Sequence, residues 1–162
     1  DDRAGVWAIL RLLRDGYRPH VLFTDLEEQG GIGAWEAAEE VVLPEGTRYG
    51  IEIDRRGKGQ AVFYDEGNTA FKEYICSFGF KEQVGTFSDV SILSPAWGIA
   101  CVNLSAGYYN EHFTDEYLCL DSLEVTFWAV RRMLDEVESA PVFEHIPVYE
   151  YEAGWEPLIP AK

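Results

Sequence analysis

Acidic side chains and one histidine occupy positions where predicted strands end or predicted helices begin. Carboxylate oxygens bind hard divalent cations, and zinc also accepts an imidazole nitrogen. In open α/β sheets, ligands bind beyond the carboxyl ends of the strands. If the strands are parallel, these side chains can converge on one edge of the sheet and hold a metal ion. The five residues are Asp1, Glu27, Glu28, Asp54 and His112.

Two of these residues, Glu27 and Glu28, are adjacent and are followed by two glycines. Two metal ions about 3.5–4 Å apart can hold a carbonyl group and an attacking water together. One glutamate can then bind metal while the other stays free as the general base. Neighbouring side chains of an extended segment point in opposite directions, so the turn at residues 29–31 has to bring both glutamates to the site.

Helical and strand-like segments alternate along the chain, and this alternation predicts an α/β fold. We expect three layers: a mostly parallel or mixed central sheet with helices on both faces. Residues 1–138 are predicted to form the domain, and residues 139–162 an extended tail packed on it. The predicted helices span residues 5–14, 34–42, 68–78, 88–93 and 121–137. The predicted strands span residues 20–24, 49–54, 60–64 and 99–104, with an edge strand at 148–151.

Two of the helix starts carry capping residues. Ser88 is expected to cap the helix at 88–93, and Asp121 or Ser122 the helix at 121–137.

The composition excludes some classes of partner. The formal net charge is −16, from 13 Lys and Arg against 29 Asp and Glu. Phosphate binding needs a basic face, so this net charge argues against nucleic acid and anionic membrane surfaces as partners. No run approaches the roughly 20 apolar residues of a membrane span.

Cys76, Cys101 and Cys119 lack metal-site spacing and are expected to be free thiols, which fits the cytoplasm.

Four segments carry motifs that follow one another in a fixed order. Residues 1–5 read D-D-R-A-G, and residues 21–34 read V-L-F-T-D-L-E-E-Q-G-G-I-G-A. Residues 51–57 read I-E-I-D-R-R-G. The last segment comprises F-S-D-V-S-I-L at 87–93 and V-N-L-S-A-G-Y-Y-N-E-H-F-T-D-E-Y at 102–117. Together they resemble the co-catalytic zinc exopeptidases, a clan that includes bacterial zinc aminopeptidases, tripeptidases and glutamate carboxypeptidases.

The resemblance implies a ligand set for two divalent metal ions, with zinc expected and cobalt or manganese as alternatives. Asp1 would bridge the two ions, and Asp2 is the alternative at that position. Glu28 and His112 would complete one metal site. Asp54 would belong to the other.

The resemblance also implies roles in the reaction. Glu27 would take a proton from the metal-bound water and return it to the leaving amine. Tyr108 and Tyr109 are candidates for a hydrogen bond to a substrate carbonyl, with aromatic packing as the alternative for each. Asp89 is a candidate for supporting the site or for packing.

The function that follows is hydrolysis of peptide bonds, and an aminopeptidase is expected because no long insertion separates Asp54 from His112. One alternative is an amidohydrolase or deacylase that acts on N-acyl amino acids. Another is a module without catalysis that binds or supports a partner. Substrates would be peptides or N-acyl amino acids, and a homo-oligomer is left open.

One departure from the clan's pattern bears on activity. The clan carries a His-x-Asp segment upstream of the bridging aspartate, and this chain starts at Asp1. We therefore expect the isolated chain to bind one metal ion weakly and to be a poor catalyst.

Overall fold

A four-stranded mixed sheet lies at the centre of residues 2–148, the part of the chain that the computed structural model describes. Its strands are β1 (Gly50–Arg55), β2 (Gln60–Val62), β3 (Lys81–Gln83) and β4 (Cys101–Ser105), in the order β1-β4-β2-β3. The pairs β1–β4 and β2–β3 are parallel, whereas β2–β4 is antiparallel. The predicted α/β class and mixed sheet are confirmed. Strand β3 was not predicted, because its three residues are polar and exposed.

A second, smaller pairing follows the main sheet. Strand β5 (Tyr108–Tyr109) pairs antiparallel with β6 (Tyr117–Leu118), and neither strand was predicted from the sequence. This hairpin closes the segment that contains His112.

Within the described residues the five predicted helices are present, with ends shifted by a few positions. They are α1 (Arg3–Arg14), α2 (Ile32–Glu40), α3 (Thr69–Ser77), α4 (Asp89–Trp97) and α5 (Leu120–Glu136). Helix α5 starts before Asp121, so the predicted caps Asp121 and Ser122 lie in its first turn. No helix in residues 2–148 is long and apolar enough to cross a membrane.

Strand β4 is buried along its whole length, and helices pack against both of its faces. Val102 and Leu104 join the main core with residues of α1, α3 and α5. Asn103 points to the opposite face, where α4 begins. Each large apolar side chain buried in this way contributes about 1.5–3 kcal/mol. The main-core residues from these helices include Ala4, Ala8, Leu12, Phe71, Ile75, Phe127, Val130 and Met133.

The start of α1 lies directly against β1. Asp2 precedes the helix, and its Oδ1 accepts a hydrogen bond of 2.8 Å from the N–H of Gly5. A Cβ atom on Gly5 would lie 2.6 Å from the carbonyl oxygen of Ile53 and would also collide with the Asp2 carboxylate. Glycine at position 5 therefore lets the capping carboxylate reach the sheet.

The strand predicted at residues 20–24 is wrong. These residues have no regular secondary structure, and Val21, Leu22 and Phe23 are exposed. A strand needs a neighbour that accepts and donates main-chain hydrogen bonds. None of the strands in the described sheet pairs with this segment, so its apolar sequence does not form a ladder.

The described part of the predicted tail, residues 139–148, runs along the domain. Phe143 is buried in the main core, and its carbonyl accepts a 2.8 Å hydrogen bond from Ala100. His145 Nδ1 lies 3.0 Å from the buried Glu66 carboxylate, so this histidine ties the segment to the domain. The predicted edge strand continues into residues 149–151, which lie outside the described residues.

We predict that Gly5→Ala destabilises the protein. Alanine normally stabilises a helix interior by about 0.5–1 kcal/mol relative to glycine. At position 5 the new methyl group would meet the Ile53 carbonyl, and we expect a loss of at least about 1 kcal/mol instead. Urea denaturation of both proteins checks this, and a variant more stable than the parent would contradict the close packing of α1 on β1.

Candidate functional site

Two carboxylates and a tyrosine hydroxyl meet where β1 ends and α1 begins. The Tyr108 hydroxyl donates a short hydrogen bond to Asp2 Oδ1 and lies 3.3 Å from Asp54 Oδ1. Burial raises the pKa of Asp2, against the effect of its hydrogen bonds from Tyr108 and Gly5. Burial, followed by the charges of Asp2 and Glu52, raises the pKa of Asp54 to about 8. The two aspartates are therefore close enough to repel each other, with one hydroxyl group between them.

A break in the β1–β4 ladder occurs at Asp54. The register shifts between Glu52, which faces Asn103, and Arg55, which faces Ser105. The main-chain N–H of Asp54 donates instead to Oδ1 of the Asn103 side chain, at 3.0 Å. Bulges of this kind redirect a side chain at the rim of a sheet. The Asn103 amide thus supports the orientation of Asp54.

A third carboxylate lies below Asp54 on the same face of β1. Glu52 Oε2 accepts a short hydrogen bond from the Ser88 hydroxyl, which in turn accepts one of 3.0 Å from Asn103 Nδ2. Burial raises the pKa of Glu52 to about 8, with further contributions from Asp89 and Glu27. The prediction that the Ser88 side chain caps α4 is therefore wrong, because the Ser88 hydroxyl donates to Glu52 instead.

The adjacent glutamates lie on a sharp turn, as expected. Residues Glu27–Gln29 form one turn of 3-10 helix between Leu26 and Gly30, both of which have left-handed backbone. Gly30 adopts φ 90°, a conformation that glycine reaches without steric cost. In an extended segment the two side chains would point in opposite directions. Because residues 27–29 form a turn instead, both glutamates can face the same region.

Glu28 and His112 are brought together by the fold. His112 Nε2 lies 3.1 Å from Glu28 Oε1, and both side chains are more than half exposed. His112 has left-handed backbone at φ 67°, as does Asn110 at φ 57°. Such conformations are uncommon outside glycine and often occur at functional sites. The loop is tied to the end of β1 by an ion pair of 2.8 Å between Arg56 and Glu111.

Glu27 is half-buried, and its charge interacts with both groups of ligand candidates. Burial raises the pKa of Glu27, and the charges of Glu28 and Asp89 raise it further. His112 has the opposite effect and lowers it. The charge of Glu27 also raises the pKa of Asp54. Glu27 is thus electrostatically coupled both to the Glu28–His112 pair and to Asp54.

Asp89 connects the turn to α4. Its Oδ2 accepts a hydrogen bond of 2.5 Å from Thr24, and burial raises its pKa. Its Oδ1 is buried and has no hydrogen-bond partner among residues 2–148. The prediction that Asp89 supports the site is compatible with this position beside the glutamate turn.

The described structure therefore brings the predicted residues together as two pairs. Glu28 contacts His112, and the Tyr108 hydroxyl lies within hydrogen-bond distance of both Asp54 and Asp2. Asp1 lies outside the described residues, so its bridging role stays a prediction. Within residues 2–148, no three His, Cys, Asp or Glu residues form a group that could hold a metal ion.

The two tyrosines predicted to contact substrate occupy different positions. Tyr108 is only 3% exposed, and its hydroxyl is engaged by the two aspartates. Tyr109 is half-buried and stacks on Tyr117 at 5.2 Å between ring centroids. A contact of either residue with substrate stays a prediction.

Three supporting residues were not identified from the sequence: Glu52, Asn103 and Thr24. One signal was present for Glu52, which stands two residues before Asp54 in an alternating strand and so shares its face. Asn103 and Thr24 carry no such signal, because their partners are distant in the sequence.

We predict that the metal-free protein loses stability between about pH 5 and pH 8. The folded state holds Glu52 and Asp54 protonated up to about pH 8, whereas unfolded carboxyl groups ionise near pH 4. The unfolded state therefore binds fewer protons in this range, and stability falls by up to about 1.4 kcal/mol per pH unit for each group. Urea denaturation with a chelator, at several pH values, measures the slope.

The matched variants for this measurement are Glu52→Gln and Glu39→Gln. Glu52→Gln keeps the hydrogen bond to Ser88 and should flatten the pH dependence. Glu39 is exposed on α2, so its substitution should leave the slope unchanged. A parent protein whose stability rises from pH 5 to pH 8 would show that the buried carboxyls are ionised in the fold.

Comparison with known proteins gives no assignment: no family model, curated protein or solved structure matches the chain.

Proposed function

We propose that the protein is a peptide-bond hydrolase of the co-catalytic zinc exopeptidase type, acting as an aminopeptidase with two divalent metal ions. The observation that carries the proposal is the contact of Glu28 with His112, 3.1 Å apart. These two residues come from segments far apart in the sequence. They are the pair that the motif resemblance assigns to one metal ion.

The chemistry of the side chains is suitable for zinc. A carboxylate beside an imidazole is a common zinc donor pair, and clustered aspartates suit the same ion. Asp54, with Asp1 or Asp2, would supply carboxylate oxygens to the other ion. Burial, followed by the neighbouring charges of Asp2 and Glu52, raises the pKa of Asp54, and a divalent cation relieves repulsion among these carboxylates.

Glu27 is the residue we assign as general base and acid. It is half-buried next to Glu28, and its charge is coupled to both Asp54 and His112. Bound metal ions of this kind polarise a scissile carbonyl and acidify an attacking water. Glu27 would accept the proton and deliver it to the leaving amine.

The position of these residues in the fold also supports the proposal. Asp54 ends β1, and the segment with His112 follows β4, which is parallel to β1. Both thus lie at the carboxyl edge, where α/β proteins bind ligands. A fold of the zinc exopeptidase type would place the site at this edge.

We predict that the full-length gene product hydrolyses aminoacyl-arylamides, and that Glu27→Gln lowers kcat by at least about 100-fold. Glutamine keeps the size of the side chain but cannot accept the proton. Zinc binding, measured by calorimetry, should stay within about threefold of the parent value. Glu39→Gln on the exposed face of α2 is the control, with unchanged kcat.

The substrate panel includes N-acyl amino acids. If the protein hydrolyses N-acyl amino acids but no aminoacyl-arylamide, the proposed activity changes from aminopeptidase to amidohydrolase, with the same metal chemistry. Zinc binding without turnover of either class would favour a binding module. Full activity in Glu27→Gln would remove Glu27 from the proposed role.

We also predict that His112→Ala weakens zinc binding by at least about tenfold, because it removes the only nitrogen ligand of the proposed set. His20 is likewise exposed but lies outside the proposed site, so His20→Ala is the matched control. Calorimetric titration of the three proteins at one pH gives the comparison. Equal affinities for all three would contradict the assignment of His112.

A further inference from the structure

Tyr108 is held in place more firmly than its short strand suggests. Its ring is part of the main core, and only 3% of the residue is exposed. Its carbonyl oxygen accepts a 2.9 Å hydrogen bond from the N–H of Gly57, just beyond the end of β1. Two residues earlier, Ala106 N–H bonds to the carbonyl of Arg55. The main chain and the ring therefore both tie Tyr108 to the end of β1.

The Tyr108 hydroxyl has a single proton and two carboxylate neighbours. It donates to Asp2 Oδ1, and Asp54 Oδ1 lies 3.3 Å away. Burial raises the pKa of Tyr108, and the neighbouring Asp2 and Asp54 raise it further. The hydroxyl is therefore a neutral donor at the point where two acidic side chains from α1 and β1 approach each other.

We propose that Tyr108 is a positioning residue that sets the separation and orientation of the Asp2 and Asp54 carboxylates before a cation binds. Without the hydroxyl, no donor would link the two groups across the buried gap between them, and they would be free to rotate apart. Asp2 is also held by Gly5 N–H, so the larger movement is expected at Asp54. The consequence for cation affinity rests on the proposed function, whereas the consequence for geometry does not.

The test compares Tyr108→Phe with Tyr49→Phe in the full-length gene product. Tyr49 packs against the same core, and its hydroxyl faces that of Tyr74 at 3.2 Å. Both variants keep the ring and remove one hydroxyl. Crystal structures of the metal-free proteins should show Asp54 displaced from Asp2 only in Tyr108→Phe. Unchanged carboxylate positions in that variant would overturn the proposal.

Cobalt(II) titration, followed by visible absorption, gives the second readout. We expect Tyr108→Phe to lower cobalt affinity by about 10–100-fold, as does the loss of other residues that hydrogen-bond to metal ligands. Tyr49→Phe should leave the affinity unchanged. Equal losses in both variants would indicate a general structural effect and count against the proposal. A parent protein that binds no cobalt would refute the proposed metal function, and the crystal structures would still decide the role of Tyr108.

A double-variant cycle separates positioning from folding. Asp2→Asn keeps a capping side chain but removes one of the two carboxyl groups that the hydroxyl links. In that background, Tyr108→Phe should lose much less cobalt affinity than in the parent. If Tyr108→Phe alone fails to fold, recovery of folding in the Asp2→Asn background would support the role of the hydroxyl between the two carboxyl groups, and failure there as well would contradict it.

Discussion

The parallel pairing of β1 with β4 is the constraint on which the rest of the structure depends. Because β4 is buried along its whole length, it fixes the position of β1 between the helices on both faces. The two strands end at the same edge, so Asp54 at the end of β1 lies near Tyr108, which follows β4. Helix α1 then delivers Asp2 to the same place, because Gly5 allows its first turn to lie against the strand.

Collecting carboxylates at one buried edge costs free energy, since burial and mutual repulsion both oppose ionisation. Neutral donors offset part of this cost: Ser88 to Glu52 and Tyr108 to Asp2. In proteins such costs are concentrated at functional sites, where the stability of the rest of the fold retains them. The Glu28–His112 pair differs, since it lies on exposed turns and is easier to rearrange on binding a ligand.

Much of the secondary structure was predictable because its signals are local. Apolar periodicity located α1 and α5, and alternation located β1. The strand predicted at 20–24 was wrong because a strand also requires a neighbour, which a run of apolar residues does not reveal. Ser88 was predicted as a helix cap on the same local reasoning, but a distant carboxylate, Glu52, competes for its hydroxyl.

The sequence by itself determined the α/β class, the turn that carries Glu27 and Glu28, and the chemical types of the candidate ligands. These depend on residue type and on spacing over a few positions. Only the tertiary structure decided that Glu28 meets His112, that Asp54 is supported by Asn103, and that the Tyr108 hydroxyl points at aspartates. Each of these contacts joins residues distant in the chain, and their geometry depends on the packing of whole helices and strands, which no local pattern encodes.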